Sequence, residues 1–332
     1  MARRGSRPAV RSRAGRRGAA LNAITTRGLS KRYGTVAAVD SLDLTIEQGV
    51  LYGFLGPNGA GKTTTIRMAL GLIFPTEGEV EVLGQPVFQG QGPRDRALRS
   101  VGALIEEPGF WTHLSGPRNL EYFARTAGPA DDRRARLGRV DDVLRTVGLE
   151  QAGGKRVKAY SQGMRQRLGI AQALLGKPNV LVLDEPTNGL DPQGMREIRT
   201  LLRRLADDGV TVFVSSHLLT EVEAMCDRVG VLARGRLVAE GPPSELRSSG
   251  NLLRIEVDDR ARAEEILRRV EGVELDGSGT AQLRLRLAPP ATAAGVNAAL
   301  VAGGVAVSAL VPEHESLEDV FVSLVEGEET PR

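Results

Sequence analysis

The chain has 332 residues, 41% hydrophobic and 4% aromatic, an ordinary globular composition long enough for two domains. No run approaches the roughly 18–20 consecutive apolar residues that a membrane span needs, so a role at a membrane calls for another chain to do the spanning. The net charge of +3 is set by residues 1–20, with seven arginines and no acid; residues 21–332 carry −4, which excludes reading the folded part as a generic basic binder of nucleic acid.

The arginines of the tail (Arg3, Arg4, Arg7, Arg11, Arg13, Arg16, Arg17) are followed by no apolar stretch, so neither a secretory nor a twin-arginine signal is expected. Two readings stay open: a disordered tail or mis-assigned start, dispensable to the rest, or a basic arm touching anionic lipid. Cys226 is the single cysteine, which excludes an intrachain disulfide and fits the cytosol.

In chain order, Ile24–Leu29 opens the ordered part, and Ser41–Ile46 alternates as a half-buried strand does. Val50–Leu55 is continuously apolar, the pattern of a strand buried on both faces. A glycine-rich loop precedes a helix over Thr64–Leu70. Val101–Ile105 reads as a strand, and residues 115–175 as a helical insert rich in Arg, Leu and Ala. Asn179–Leu183 and Val210–Val214 are two more buried strands. Gly241-Pro242-Pro243-Ser244 caps a short helix over Glu245–Arg247, and Ser248-Ser249-Gly250 is a linker. Beyond it come a strand at Leu252–Val257, a helix at Ala261–Val270, a strand at Ala281–Leu287, a helix at Ala291–Ala302 and a strand at Val305–Val311. There is room for another strand near Val273, and a capped helix at Ser316–Val325. The first part is an α/β core with an antiparallel β lobe and a helical lobe; the second is a small α+β domain of ferredoxin-like type.

Gly56-Pro57-Asn58-Gly59-Ala60-Gly61-Lys62-Thr63 fits G-x-x-x-x-G-K-[ST]. Its glycines let consecutive backbone N–H groups turn inward around phosphate oxygens, and the following helix adds its positive end. Lys62 supplies a charge to the β- and γ-phosphates, Thr63 a hydroxyl to Mg²⁺, and Thr64 continues the ATP-binding stretch. Val180-Leu181-Val182-Leu183-Asp184-Glu185 sets two carboxylates at the C-terminal end of a buried strand, where open α/β sheets bind ligands. Asp184 can hold Mg²⁺ through water; Glu185 can align and deprotonate a water for attack on the γ-phosphate.

Tyr160-Ser161-Gln162-Gly163-Met164-Arg165-Gln166-Arg167 resembles the signature of ABC ATPases, which usually reads L-S-G-G-Q before a helix. Ser161 and Gly163 match; Tyr160, Gln162 and Met164 depart, as variants in one exporter branch do. The resemblance covers roughly residues 23–247. It implies that Tyr33 stacks on adenine and that Asn188-Gly189-Leu190-Asp191 links the two active sites of a dimer. It also implies that His217, after Ser215-Ser216, is the switch histidine of catalysis. Ser161, Gln162, Gly163 and Met164 would close over the γ-phosphate held by the opposite subunit. His113 and His314 have no such context. Where the family has a glutamine, this chain has Glu106, a third candidate Mg²⁺ ligand beside Thr63 and Asp184. The stretch Leu104-Ile105-Glu106-Glu107-Pro108-Gly109-Phe110 is similar to the bacitracin- and lantibiotic-resistance branch of exporters, and Ser316–Phe321 to the wider drug-exporter group.

These residues imply a P-loop ABC ATPase core over 23–247, with a tail at 1–22, an accessory domain at 248–327 and a short tail at 328–332. The expected cofactors are ATP and Mg²⁺. The expected partners are a separate transmembrane permease, contacted around Phe110 and Trp111, and a second cassette that pairs with this one on ATP binding; nucleic acid is not expected. The expected place is the cytoplasmic face of the membrane, held peripherally. The alternative is a soluble ABC ATPase acting on ribosomes or DNA, although such chains usually carry two cassettes or long coiled-coil insertions.

Overall fold

A computed structural model describes residues 22–88, 93–106, 108–125, 132–152, 154–246, 252–276 and 283–313. The N-terminal tail, Glu107, His314 and the helix expected at Ser316–Val325 lie outside the described residues. β1 (Asn22–Tyr33) and β2 (Val36–Glu47) pair antiparallel around a turn at Gly34, whose φ of 59° suits glycine. β3 (Leu51–Leu55) leads through the glycine-rich loop into α1 (Lys62–Ala69). β4 (Glu77–Val82) and β5 (Gln85–Pro86) return to the first sheet, ordered β2-β1-β4-β5. α2 (Pro93–Leu98) and β6 (Val101–Leu104) lead into the helical lobe of α3 (Gly116–Phe123), α4 (Arg133–Thr146) and α5 (Gln162–Leu174). β7 (Val180–Asp184), α6 (Pro192–Asp207), β8 (Thr211–Ser216) and α7 (Leu219–Met225) follow. The hairpin β9 (Arg228–Ala233) and β10 (Arg236–Gly241) closes the central sheet, and α8 (Pro243–Leu246) comes after it.

That sheet runs β10-β9-β3-β8-β7-β6, parallel except for the β9–β10 pair. Every residue of β3, β7 and β8 is buried, and each strand carries an apolar run, at 51–55, 180–183 and 212–214, that calls for cover on both faces. Successive residues feed alternate sides. Leu51, Leu55, Leu181, Leu183, Val212 and Val214 join the core under α4–α7. Tyr52, Phe54, Val180, Val182 and Phe213 join Ile66 and Met68 of α1 and the apolar face of the β lobe. The sheet thus separates two cores and holds its C-terminal edge rigid between them.

Gly53 explains how close α7 comes to the sheet. A Cβ there would stand 2.3 Å from Val222 Cγ1 and 2.9 Å from Cys226 Sγ. Cys226 is accordingly buried, and burial pushes its thiol pKa up.

The C-terminal part is separate in its packing. β11 (Leu252–Val257), α9 (Arg260–Leu267), β12 (Val273–Asp276), β13 (Leu283–Leu287), α10 (Ala293–Ala302) and β14 (Val307–Glu313) follow one another as β-α-β-β-α-β. The sheet is ordered β12-β13-β11-β14 and wholly antiparallel. Leu253, Ile255, Leu283, Leu285 and Leu287 point to the helices, where Ala263, Leu267, Val296 and Leu300 complete a third core. The strand for which the sequence left room near Val273 is β12. No element was expected from the sequence at β4, β5, α2, α6, α7, β9 or β10. Gly230 interrupts the apolar run of β9, and Arg234-Gly235, both at positive φ, is the hairpin turn that joins it to β10.

Candidate active site

The glycine-rich loop leaves the end of β3 and is shaped by close backbone approach. Gly61 has φ 107°, and a Cβ on it would lie 2.3 Å from the Ala38 carbonyl oxygen, so no other residue fits between β2 and the loop. Lys62, only 5% exposed, donates from Nζ to the Gly56 carbonyl at 2.6 Å and to that of Pro57 at 3.3 Å. Its third partner is the Glu185 carboxylate at 3.3 Å. Thr63 Oγ1 donates to Asp184 Oδ2 at 2.8 Å, which ties the start of α1 to the end of β7. Thr64 is half-buried in the same first turn, while Asn58 and Gly59 are exposed at the tip of the loop.

Register across the sheet does the rest. Asp184 lies opposite Ser215 on the neighbouring parallel strand β8. Ser215 Oγ donates to Asp184 Oδ1 and accepts the Glu185 N–H at 3.0 Å. One hydroxyl therefore orients both carboxylate residues. Glu185 adopts φ 50°, a left-handed conformation rare for a side-chain-bearing residue and often found where function fixes the backbone. Its Oε2 lies 2.7 Å from His217 Nδ1, so the ring donates and the carboxylate accepts. Lys62, Thr63, Asp184, Glu185 and His217, all expected from the sequence, form one hydrogen-bonded group. Ser215 joins them without having been assigned a role.

Glu106 stands after the next strand, since β6 pairs in parallel with β7, and it too has positive φ, 64°. Its carboxylate is ion-paired with Arg67 of α1. Glu106, Pro108, Gln162, Arg165, Asp184 and Glu185 line a cleft of about 430 Å³. Pro108 rests on the signature helix at Gly169, where a Cβ would come within 2.7 Å of its ring.

Ser161 caps α5, its Oγ accepting the Met164 N–H at 3.2 Å. The departures at this motif have local partners. Tyr160 is buried and donates its hydroxyl to the Ala152 carbonyl at 3.2 Å, and burial pushes its pKa up. Gln162 Nε2 donates to the Asn188 carbonyl at 3.3 Å and so joins the signature to the Asn188–Asp191 loop of the same chain. Asp191 in turn caps α6, accepting from Gly194 N at 2.7 Å. Ser161 and Gln162 are exposed, whereas the Met164 side chain packs against the core. Tyr33 is 53% exposed at the β1–β2 turn, with Lys31 Nζ 5.3 Å from its ring centre.

Next to this site lies an aromatic surface. Trp111 is 4.6 Å from Tyr122 and 5.5 Å from Phe123, ring centre to ring centre, and Phe110 packs edge-on against Phe123. Asn119, fully buried, fixes it: Oδ1 accepts the Trp111 N–H at 2.9 Å, and Nδ2 donates to the carbonyls of Trp111 and Ser115.

Residues 39–188 match the family described as ABC transporter. Over 309 residues the chain is 39% identical to the bacitracin transport ATP-binding protein BcrA of Bacillus licheniformis, covering 92% of this chain and 97% of that protein. The chain belongs to the ABC transporter ATP-binding family. It is also 37% identical to the daunorubicin/doxorubicin resistance ATP-binding protein DrrA of Streptomyces peucetius, over 91% of this chain and 92% of that one. Among solved structures it resembles cbiO1 from Clostridium perfringens, part of the ABC transporter complex cbiONQ (TM-score 0.63, 28% identity, 68% of this chain and 90% of that one). It also resembles the dimeric post-hydrolysis state of the ATP-binding cassette MJ0796 bound to ADP and Pi (TM-score 0.59, 25% identity, 66% of this chain and 98% of that one). The chain is thus an ATPase subunit of the ABC transporter family. These solved cassettes cover about two thirds of the chain, while BcrA and DrrA match more than nine tenths of it.

Proposed function

We propose that this ATPase works as one of a pair of cassettes that bind ATP between them and drive export of a drug, peptide antibiotic or lipid-like compound through a separate transmembrane permease. The observation that carries the reading is the Lys62–Glu185–His217 group at the end of β7 and β8. Glu185, oriented from both sides, accepts the proton of the attacking water. His217 holds Oε2, so the proton goes to Oε1, which is released from Lys62 as the ammonium meets the negative charge of the phosphates. Ser161 and Gln162, exposed at the start of α5, suit contact with nucleotide held by the partner cassette, an isologous arrangement.

Mg²⁺ fits the donor set. The Thr63 hydroxyl and Asp184 carboxylate are hard oxygen ligands 2.8 Å apart, and Mg²⁺ commonly takes one or two protein ligands plus water and phosphate oxygens. That explains why no cluster of three His, Cys, Asp or Glu is needed, and none occurs among the described residues. Mg²⁺ would neutralise charge on the phosphates; Glu106 is a candidate third ligand from the rim of the cleft.

Among the described residues no helix is long and apolar enough to cross a membrane, which supports peripheral attachment at the cytoplasmic face through a spanning partner. The aromatic surface of Phe110, Trp111 and Tyr122 is the proposed permease contact. We take residues 23–247 as the cassette and 248–327 as an accessory domain of ferredoxin-like type. Action on ribosomes or DNA is disfavoured by the transport and resistance names of the relatives and by the acidic body of the chain.

The test is Glu185→Gln, which keeps shape and removes the base. Turnover should fall by about 10²–10⁴-fold while ATP binding persists. The variant should elute as a dimer in gel filtration with ATP and as a monomer without it. A variant that stays monomeric in ATP and still hydrolyses it would refute the assignment.

A further inference from the structure

Arg67 belongs to none of the family motifs, yet it is the described cation that reaches Glu106. It lies five residues beyond Lys62 on α1, and its carbonyl, accepting the Leu72 N–H at 2.8 Å, anchors the end of that helix. Its guanidinium is ion-paired with Glu106. Glu106 shares one cleft with Asp184 and Glu185, so three carboxylates face a space where phosphates are expected, and Arg67 offsets one of them. Both partners of this ion pair are substantially exposed, 40% and 65%, which makes the pair weak and readily exchanged. The chain beyond Glu106 passes Pro108, seated on α5 at Gly169, and reaches Phe110 and Trp111. A shift of the Glu106 carboxylate is thereby linked to the aromatic surface.

We propose that Arg67 is a positioning residue for Glu106. It holds the carboxylate at the rim of the cleft until Glu106 exchanges Arg67 for the Mg²⁺ of bound nucleotide, and that exchange moves the segment leading to Trp111. The inference rests on the ATPase reading given above. It makes Arg67 a competitor of Mg·ATP for one carboxylate, and therefore a residue whose charge opposes Mg·ATP binding although it lies beside the phosphate loop.

The test uses the full chain and two readouts that need no turnover: calorimetry of ATP binding with Mg²⁺ or with EDTA, and the emission of Trp111, the single tryptophan. Arg67→Met should bind Mg·ATP about two- to fivefold more tightly than wild type, the range an exposed ion pair supports. It should bind ATP in EDTA no more tightly. Its Trp111 response to Mg·ATP should shrink, because the segment starts released, and Arg67→Lys should restore both values. In a Glu106→Gln background, Arg67→Met should no longer tighten binding. Equal tightening in that background, or unchanged Mg·ATP affinity and Trp111 response in Arg67→Met alone, would overturn the proposal. Failure of the wild-type chain to bind ATP under any condition would instead strike the ATPase reading on which it rests.

Discussion

β7 reads Val-Leu-Val-Leu-Asp and β13 reads Leu-Arg-Leu-Arg-Leu, and the difference decides where this chain can do chemistry. The first is apolar on both faces, so it needs cover on both, lies in a parallel sheet, and can end its buried run on a carboxylate. Its neighbours end at the same edge, which brings Asp184 beside Ser215 and sets Glu106 and Glu185 after adjacent strands. The second alternates, so one face meets α9 and α10 while the other presents Arg284 and Arg286, with Arg286 in register with Glu274. An antiparallel sheet distributes its strand ends over both edges, and among the described residues no comparable hydrogen-bonded group of carboxylates gathers at either. The proposed reaction site accordingly lies at the edge of the parallel sheet.

Leu285→Ala probes this division most strongly. Leu285 is fully buried in the third core, so truncation should lower stability by about 2–5 kcal/mol. Melting followed by circular dichroism should show the loss, while basal ATPase activity at a temperature below the transition stays near wild type. Loss of activity in step with stability would mean that the two sheets do not act independently.

Lys62→Ala tests the other side. Removing a buried ammonium from the phosphates should weaken ATP binding by about 10- to 100-fold, with little change in the melting of the C-terminal unit. Unchanged affinity in calorimetry would remove the phosphate loop from the nucleotide site.

A smaller effect is expected between these extremes, at Asn119→Ala. The substitution strips partners from the Trp111 N–H and from two carbonyls, at a cost of about 1–3 kcal/mol. Trp111 emission should shift to longer wavelength as the aromatic surface loosens, with ATP binding retained. An unchanged spectrum would show that the surface is fixed by ring packing alone. Deleting residues 1–20 should do least: their arginines lack an apolar pattern, and ATPase activity should equal that of the full chain.

Much of this is legible in the sequence. The apolar runs at 50–55, 179–183 and 210–214 mark central strands because nothing else keeps such runs out of water, and Gly56–Thr63 has few uses besides phosphate binding. What stayed hidden depends on register or long-range approach. Ser215 looks like any strand-end serine until β7 and β8 are aligned. Arg67 looks like a solvated helix arginine until β6 delivers Glu106 to it. Asn119 sits within a helix, and only the return of the chain at Trp111 gives its amide three backbone partners. Glu106 could be placed at the cleft from its position after β6, but its partner could not.

The close approach of α7 to Gly53 also has a practical side. It encloses the only thiol in the chain, and burial disfavours the thiolate that maleimides and methanethiosulfonates attack. The native protein thus supplies a silent background for spin labels and fluorophores. A cysteine introduced at exposed Tyr122 or Val36 would take the probe alone, with no prior replacement of Cys226. Distances between two such labels in solution would then test the proposed pairing of cassettes on ATP binding.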